Sequence, residues 1–155
     1  MGKLEDKHFD IFIKNYKEHI SKLGFKNTIQ KDYILKVLYY SEHHLSAEEI
    51  TDKIQKEFNI DIGIATVYRS LNFFEEMKLV EILNIGDGTR RYEFKFNKKH
   101  HDHLICTSCN KIIEFSDDII ELNQIKIAEK NGYLLNDHSM IIYGLCDNCC
   151  EQTKE

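Results

Sequence analysis

Apolar residues recur every three to four positions through the first half of the chain, whereas the second half breaks into short apolar runs around a single helical stretch. Residues 4–22 carry Phe9, Phe12, Ile13, Tyr16 and Ile20 on one stripe and stop before Gly24, which predicts an amphipathic helix. Thr28 is placed to cap a second helix that buries Ile34, Leu35 and Leu38. A third begins at Ser46-Ala47-Glu48-Glu49, where Ser46 and Glu49 have the spacing of a reciprocal capping box and Ile50, Ile54 and Phe58 follow on one face. The segment Asn59-Ile60-Asp61-Ile62-Gly63 reads as a short turn into a fourth helix, Ile64 to Met77.

That fourth helix has two faces. Val67, Leu71 and Phe74 form the apolar one, and Ala65, Tyr68, Arg69 and Asn72 gather on another. Two helices joined by a glycine-containing turn, the second displaying small, aromatic, guanidinium and amide groups, predict a helix-turn-helix. The runs Val80 to Ile85 and Arg90 to Phe96, separated by Gly86-Asp87-Gly88, predict a hairpin with Arg90 and Arg91 near its tip. A helix-turn-helix followed by such a wing points to duplex DNA. After residue 97 the pattern changes to short strands, Leu104 to Ile105 and Ile112 to Phe115, then a helix from about Ser116 to Asn131 and a strand region from Leu134 to Leu145. The expected fold class is therefore α+β: a winged-helix domain over residues 1–96 and a small α/β domain over 97–155. Charge runs such as Glu48-Glu49 and Glu75-Glu76 read as solvated faces.

Composition adjusts this picture in two ways. The chain of 155 residues has a net charge of −5, which does not by itself announce a nucleic-acid binder, but residues 1–36 carry eight lysines against five acids. Phosphate contacts are thus expected near one end. No charged leader followed by an apolar run opens the chain, no apolar stretch approaches the roughly 20 residues that span a bilayer, and a cytoplasmic location is expected. Five cysteines, four of them in pairs with two-residue gaps, favour reduced metal-bound thiolates over disulfides.

Those pairs, Cys106 with Cys109 and Cys146 with Cys149, have the knuckle spacing of a closed tetrahedral zinc site, with Cys150 as a bystander. Just before them stands His100-His101-Asp102-His103. In an extended segment side chains alternate, so His101 and His103 face one way while His100 and Asp102 face the other, and one segment can serve two ions. Mixed imidazole and carboxylate sets suit Fe(II), Zn, Mn or Co and exchange metal more readily than an all-thiolate cage.

Gly63-Ile64-Ala65-Thr66-Val67-Tyr68-Arg69-Ser70-Leu71-Asn72, His100 to Cys106 and Lys111-Ile112-Ile113-Glu114-Phe115, taken in order, resemble the ferric uptake regulator family of bacterial metal-dependent transcription factors. The similarity runs from about Lys22 to Cys149. It implies a zinc-bearing C-terminal dimerisation domain, a regulatory metal, most readily Fe(II), at His44, Glu93, His101, His103 and Glu114, and a further site at His100, Asp102, Glu121 and His138. His44 lies in the DNA-binding domain and the other regulatory ligands in or beside the second, so such an ion would tie the two together. The resemblance also implies a homodimer, or a tetramer built from two of them, gripping an AT-rich pseudo-palindrome through Lys26, Thr66, Tyr68, Arg69 and Asn72. Lys26 would enter a narrow minor groove, Tyr68 would meet thymine methyls or sugar, and Arg69 a phosphate or guanine edge.

The chain departs from the family pattern in places. Glu93 precedes His101 by eight residues where the family usually has seven, Lys31 stands where an arginine is common, and the helix before Lys22 is longer than in short members. Glutamates at 93 and 114 resemble the iron-sensing rather than the peroxide-sensing branch. The ligand types also admit a zinc- or nickel-sensing member. A zinc hydrolase or deaminase is disfavoured, because neither His-Glu-x-x-His nor the Pro-Cys-x-x-Cys partner of a deaminase occurs and the chain has no proline. A structural zinc module for protein contacts would need neither the helix-turn-helix nor the wing.

Overall fold

A computed structural model of the chain describes residues 3–86, 88–96 and 98–152. The chain separates into two compact units, Met1–Asn84 with Gly88–Asn97, and Ile85–Asp87 with Lys98–Glu155. Asp87 of the expected turn and Asn97 at the expected domain boundary lie outside the described residues.

The first unit holds helices α1 (Lys3–Lys22), α2 (Ile29–Tyr39), α3 (Ala47–Phe58) and α4 (Ile64–Glu76), then strands β1 (Val80–Asn84) and β2 (Arg90–Phe94). Several helix ends have a local cause. Gly24, at φ 81, ends the α1 region by letting the Phe25 N–H turn back to the Ile20 carbonyl. The Thr28 hydroxyl accepts from the Lys31 N–H at the start of α2. Ser46 and Glu49 form both halves of the capping box that begins α3. Asn59, left-handed at φ 55, closes α3 before the turn into α4. Burial follows the predicted stripes: Phe9, Phe12, Tyr16, Ile20, Ile34, Leu35, Leu38, Ile50, Ile54, Val67, Leu71 and Phe74 all enter one core. β1 and β2 pair antiparallel from Val80 opposite Phe94 to Asn84 opposite Arg90, somewhat shorter than the predicted runs. A single bridge between Leu45 and Tyr92 adds a strand-like contact ahead of α3. The result is a winged helix with an additional helix, α1, packed on it.

The second unit holds β3 (Asp102–Cys106), β4 (Ile112–Phe115), α5 (Asp118–Lys130), β5 (Ile141–Gly144) and α6 (Asp147–Gln152). β3 is central, antiparallel to β4 and parallel to β5. Two boundaries differ from expectation. α5 begins two residues later than Ser116, because the Asp117 carboxylate caps it by accepting from the Ile119 and Ile120 N–H groups. The expected strand region from Leu134 contracts to β5. Residues 134–140 take no regular structure, since polar Asn136, Asp137 and His138 interrupt the apolar run and the Met140 N–H is held by Asp102 instead of a strand partner. No described helix is long and apolar enough to cross a membrane.

Candidate metal centres and nucleic-acid surface

β3 ends at Cys106, and the following turn is closed by Asn110, left-handed at φ 60, whose N–H donates to the Cys106 carbonyl at 2.9 Å. The Thr107 N–H donates to the Gly144 carbonyl at 2.8 Å, which docks this knuckle beside the end of β5. There the Cys149 and Cys150 N–H groups both donate to the Cys146 carbonyl, 2.9 Å each, and open α6. The sulfurs of Cys106, Cys109, Cys146 and Cys149 all fall within 4.8 Å of one another, and Cys109 Sγ lies 3.7 Å from Cys146 Sγ. A tetrahedral zinc ion with bonds of about 2.3 Å has sulfur–sulfur edges of about 3.8 Å, so the cage has the correct size. The Cys150 thiol points elsewhere, toward the Leu145 carbonyl at 3.7 Å.

The electrostatics of the cage also call for a cation. N–H groups of Cys146, Cys109 and Ser108 directed at Cys106 pull its thiol down to about 6. Cys149 moves the other way. Ser108 favours its thiolate, but the sulfurs of Cys146 and Cys109, with burial and Cys106, outweigh that and push it up to about 12. Four sulfurs this close cannot all be anionic unless a metal shares their charge.

A second cluster takes the other ligand types. Strand alternation sends His100 and Asp102 to one side, where Glu121 from the first turn of α5 and His138 from the irregular segment join them, again within 4.8 Å. His100 Nε2 stands 3.5 Å from Asp102 Oδ1 and 3.6 Å from Glu121 Oε1; His138 Nε2 stands 3.8 and 3.5 Å from the same oxygens. A tetrahedron with metal–ligand bonds of about 2.1 Å has edges of about 3.4 Å, close to these values. Asp102 Oδ1 accepts from the Met140 N–H at 3.0 Å, yet Asp102 Oδ2, Glu121 Oε1 and His138 Nε2 are buried without a hydrogen-bond partner. Buried polar atoms that converge unpaired are what a bound cation would satisfy.

The remaining predicted ligands fall into two groups, one in each unit. In the second unit Glu114 is directly opposite His103 across β3 and β4, and the His101 and His103 rings lie 5.0 Å apart. His101 Nε2 is 3.9 Å from Glu114 Oε2, while its Nδ1 meets the Lys99 carbonyl at 3.0 Å, a bond that orients the ring with Nε2 toward Glu114. In the first unit the Leu45–Tyr92 bridge sets His44 opposite Glu93. His44 Nε2 and Glu93 Oε2 are 3.1 Å apart and both side chains are buried, so the extra residue after Glu93 does not separate this pair.

On α4 the predicted outward face is exposed at Ala65, Tyr68, Arg69 and Asn72, and Lys26 is exposed in the loop before α2. The Arg69 guanidinium donates to the Thr66 hydroxyl at 3.1 Å. Tyr68, Glu48, Gly88, Thr89 and Arg90 line a cleft between this helix and the hairpin. Glu48 and Glu49 are more than solvated charges. The Tyr68 hydroxyl donates to Glu48 at 3.0 Å, a bond that raises the Tyr68 pKa, and Arg91 reaches Glu49 at 3.0 Å. Lys31 also has a role the sequence did not reveal: its Nζ sits 3.6 Å from the Phe73 ring centroid and 3.4 Å from the Lys26 carbonyl. The Tyr68–Glu48, Arg91–Glu49 and Lys31–Phe73 contacts join residues from different elements, and no local spacing marks them.

The sequence model of the ferric uptake regulator family matches residues 22–143. The ferric uptake regulation protein of Campylobacter jejuni is 41% identical over 150 residues, 96% of this chain and 95% of that one, a span that takes in most of α1. The Escherichia coli protein of the same description is 43% identical over 128 residues, 82% and 85% of the two chains. The Helicobacter pylori ferric uptake regulator, described as having three functional metal binding sites, superposes with a TM-score of 0.83 at 38% identity over 92% of this chain and 93% of that one. A Francisella tularensis ferric uptake regulator with iron superposes with a TM-score of 0.72 at 38% identity, covering 82% and 96%. Family motifs in order, a match over most of the sequence and the same fold lead to one conclusion: this chain belongs to the ferric uptake regulator family.

Proposed function

We propose that this chain is a metal-responsive transcriptional repressor of iron-uptake genes, with Fe(II) as its regulatory ion, acting as a cytoplasmic homodimer on AT-rich pseudo-palindromic DNA. In this reading residues 1–96 form the DNA-binding domain and residues 97–155 the zinc-binding dimerisation domain. The observation that carries it is the division of labour along β3: one strand feeds a thiolate cage at its end and separate imidazole–carboxylate clusters on its two faces. A closed cage of four thiolates suits a permanent structural ion, and mixed nitrogen and oxygen donors suit one that exchanges.

Cys106, Cys109, Cys146 and Cys149 would hold structural zinc. On the family resemblance we assign the regulatory ion to His44 and Glu93 together with His101, His103 and Glu114, and an additional ion to His100, Asp102, Glu121 and His138. A bound ion would supply positive charge that favours one arrangement of its ligands, and a coupling of this kind is typically worth about 1–3 kcal/mol. Tyr68, Arg69, Asn72 and Thr66 on α4 would enter the major groove, with Lys26 reaching an adjacent minor groove. Dimerisation is supported by the second unit's own surface. Ile113, Leu104 and Ile142 stand side by side across the sheet, all more than a third exposed, and α5 buries no residue while exposing Ile119 and Leu122. An apolar face of this kind belongs against a second copy rather than water.

Gel shifts with manganese or anaerobic Fe(II) test the reading. Wild-type protein should gain DNA affinity with metal, roughly 5- to 150-fold. His101→Ala with His103→Ala should remain a folded dimer whose affinity ignores metal, and an unchanged metal response would remove the regulatory assignment.

A further inference from the structure

Tyr68 stands on the exposed face of α4, yet its far end is braced from another helix. The residue is 39% exposed, and its hydroxyl donates at 3.0 Å to Glu48 on α3, twenty positions earlier in the chain. Arg69 beside it is braced differently, within α4 itself, by donating to the Thr66 hydroxyl. A tyrosine turns about two side-chain bonds, and a hydrogen bond at the phenol end restricts both. The ring orientation is therefore set by how α3 and α4 pack.

Glu48 is a firm anchor for that bond. It lies in the first turn of α3, where the free backbone N–H groups favour an anion. Its own N–H, then the Tyr68 hydroxyl, and with them the Ser46 hydroxyl, hold its carboxyl below the usual carboxylate range against the opposing effect of burial. The turn itself is pinned to the wing. Glu49 Oε2 accepts from the Ser46 N–H at 2.7 Å and from Arg91 of β2 at 3.0 Å. Arg90 lines the same cleft as Glu48 and Tyr68, so the carboxylate stands on a surface that otherwise presents cations. An anion there repels phosphate, and its cost to DNA affinity calls for a compensating role.

We propose that Glu48 is a positioning residue for sequence recognition: it fixes the Tyr68 ring in the orientation that meets the base edge, while its charge lowers affinity for every duplex alike. The inference rests on the reading of α4 as the helix that enters the major groove. A side chain already held in its docking rotamer loses less freedom on binding, and that saving is realised where the sequence fits the fixed ring. A ring free to turn adapts to other sequences as well, so discrimination falls.

The duplex that full-length wild-type protein selects from a random pool in the presence of manganese is compared with a scrambled duplex of the same composition, by fluorescence anisotropy at one salt concentration. Glu48→Ala should lower the ratio of the two affinities about three- to tenfold, the scale set by one hydrogen bond. Tyr68→Phe should lower it by a similar factor, and the double variant by no more than either. Glu48→Gln keeps an acceptor and should keep the ratio while raising affinity for both duplexes. In the DNA-free protein the Tyr68 Hα–Hβ couplings should move toward rotamer-averaged values in Glu48→Ala and stay near wild type in Glu48→Gln. An unchanged ratio or unchanged couplings in Glu48→Ala, or additive losses in the double variant, would overturn the proposal. Failure of wild-type protein to select any duplex would instead overturn the DNA-binding reading beneath it.

Discussion

Asp102→Asn separates a metal ligand from an ordinary structural acid, because the two roles predict opposite signs. Asp102 is 1% exposed, its Oδ1 accepts from the Met140 N–H at 3.0 Å, and its Oδ2 is buried with no hydrogen-bond partner. Without metal the carboxylate therefore rests on one hydrogen bond and two histidine neighbours at 3.5 and 3.8 Å. An unsatisfied buried polar atom costs about 1–3 kcal/mol, more when charged, and asparagine removes the charge while keeping the Met140 bond. The metal-depleted variant should then be about 1 kcal/mol more stable than wild type, a rise of about 2–4 °C in a chain of this length. With zinc the order of effects reverses. Loss of a charged ligand should lower affinity at least tenfold, so the stabilisation gained on saturating the site should shrink by about 1.4 kcal/mol or more. Thermal melts of both proteins, with the thiolate cage kept loaded and the scans run with and without added zinc, measure the two quantities independently. A variant that melts below wild type without metal, and gains as much from added zinc, would show that Asp102 serves only to hold Met140.

Other expectations test other parts of the molecule. Cys109→Ser should lose one zinc per chain and the dimer with it; elemental analysis with sedimentation would detect full zinc retention, the result that contradicts the cage. Ser46→Ala breaks the capping box of α3 and should cost about 1 kcal/mol, seen as a lower urea midpoint at unchanged slope. Glu48→Gln keeps an acceptor oxygen but removes the carboxylate charge that helps raise Tyr68, so the phenol should titrate closer to its ordinary value by ultraviolet absorbance, and DNA affinity should rise as an anion leaves the cleft. Lys31→Met should weaken DNA binding without changing its dependence on salt, since Lys31 is engaged with Phe73 and the Lys26 carbonyl; a slope reduced by about one would mean that it contacts a phosphate.

The amino-acid order alone determined every feature that rests on periodicity or spacing over a few residues. The apolar stripes of the first four helices, the capping box, the two cysteine knuckles and the alternation of His100 to His103 are consequences of helical or strand geometry acting on neighbours in the chain. Resemblance carried His44 and His138 further than their surroundings could. Tertiary structure decided what depends on distant segments meeting. The Leu45–Tyr92 bridge brings His44 to Glu93, residues 134–140 give up a strand to deliver His138, and Tyr68 finds Glu48 twenty positions away. Asp102 illustrates the difference most clearly: its side of the strand was legible from alternation, but its burial and its unpaired oxygen arise from α5 and the irregular segment closing over it. Local spacing fixes which way a side chain points, while packing between remote elements fixes what it meets and how much solvent it keeps.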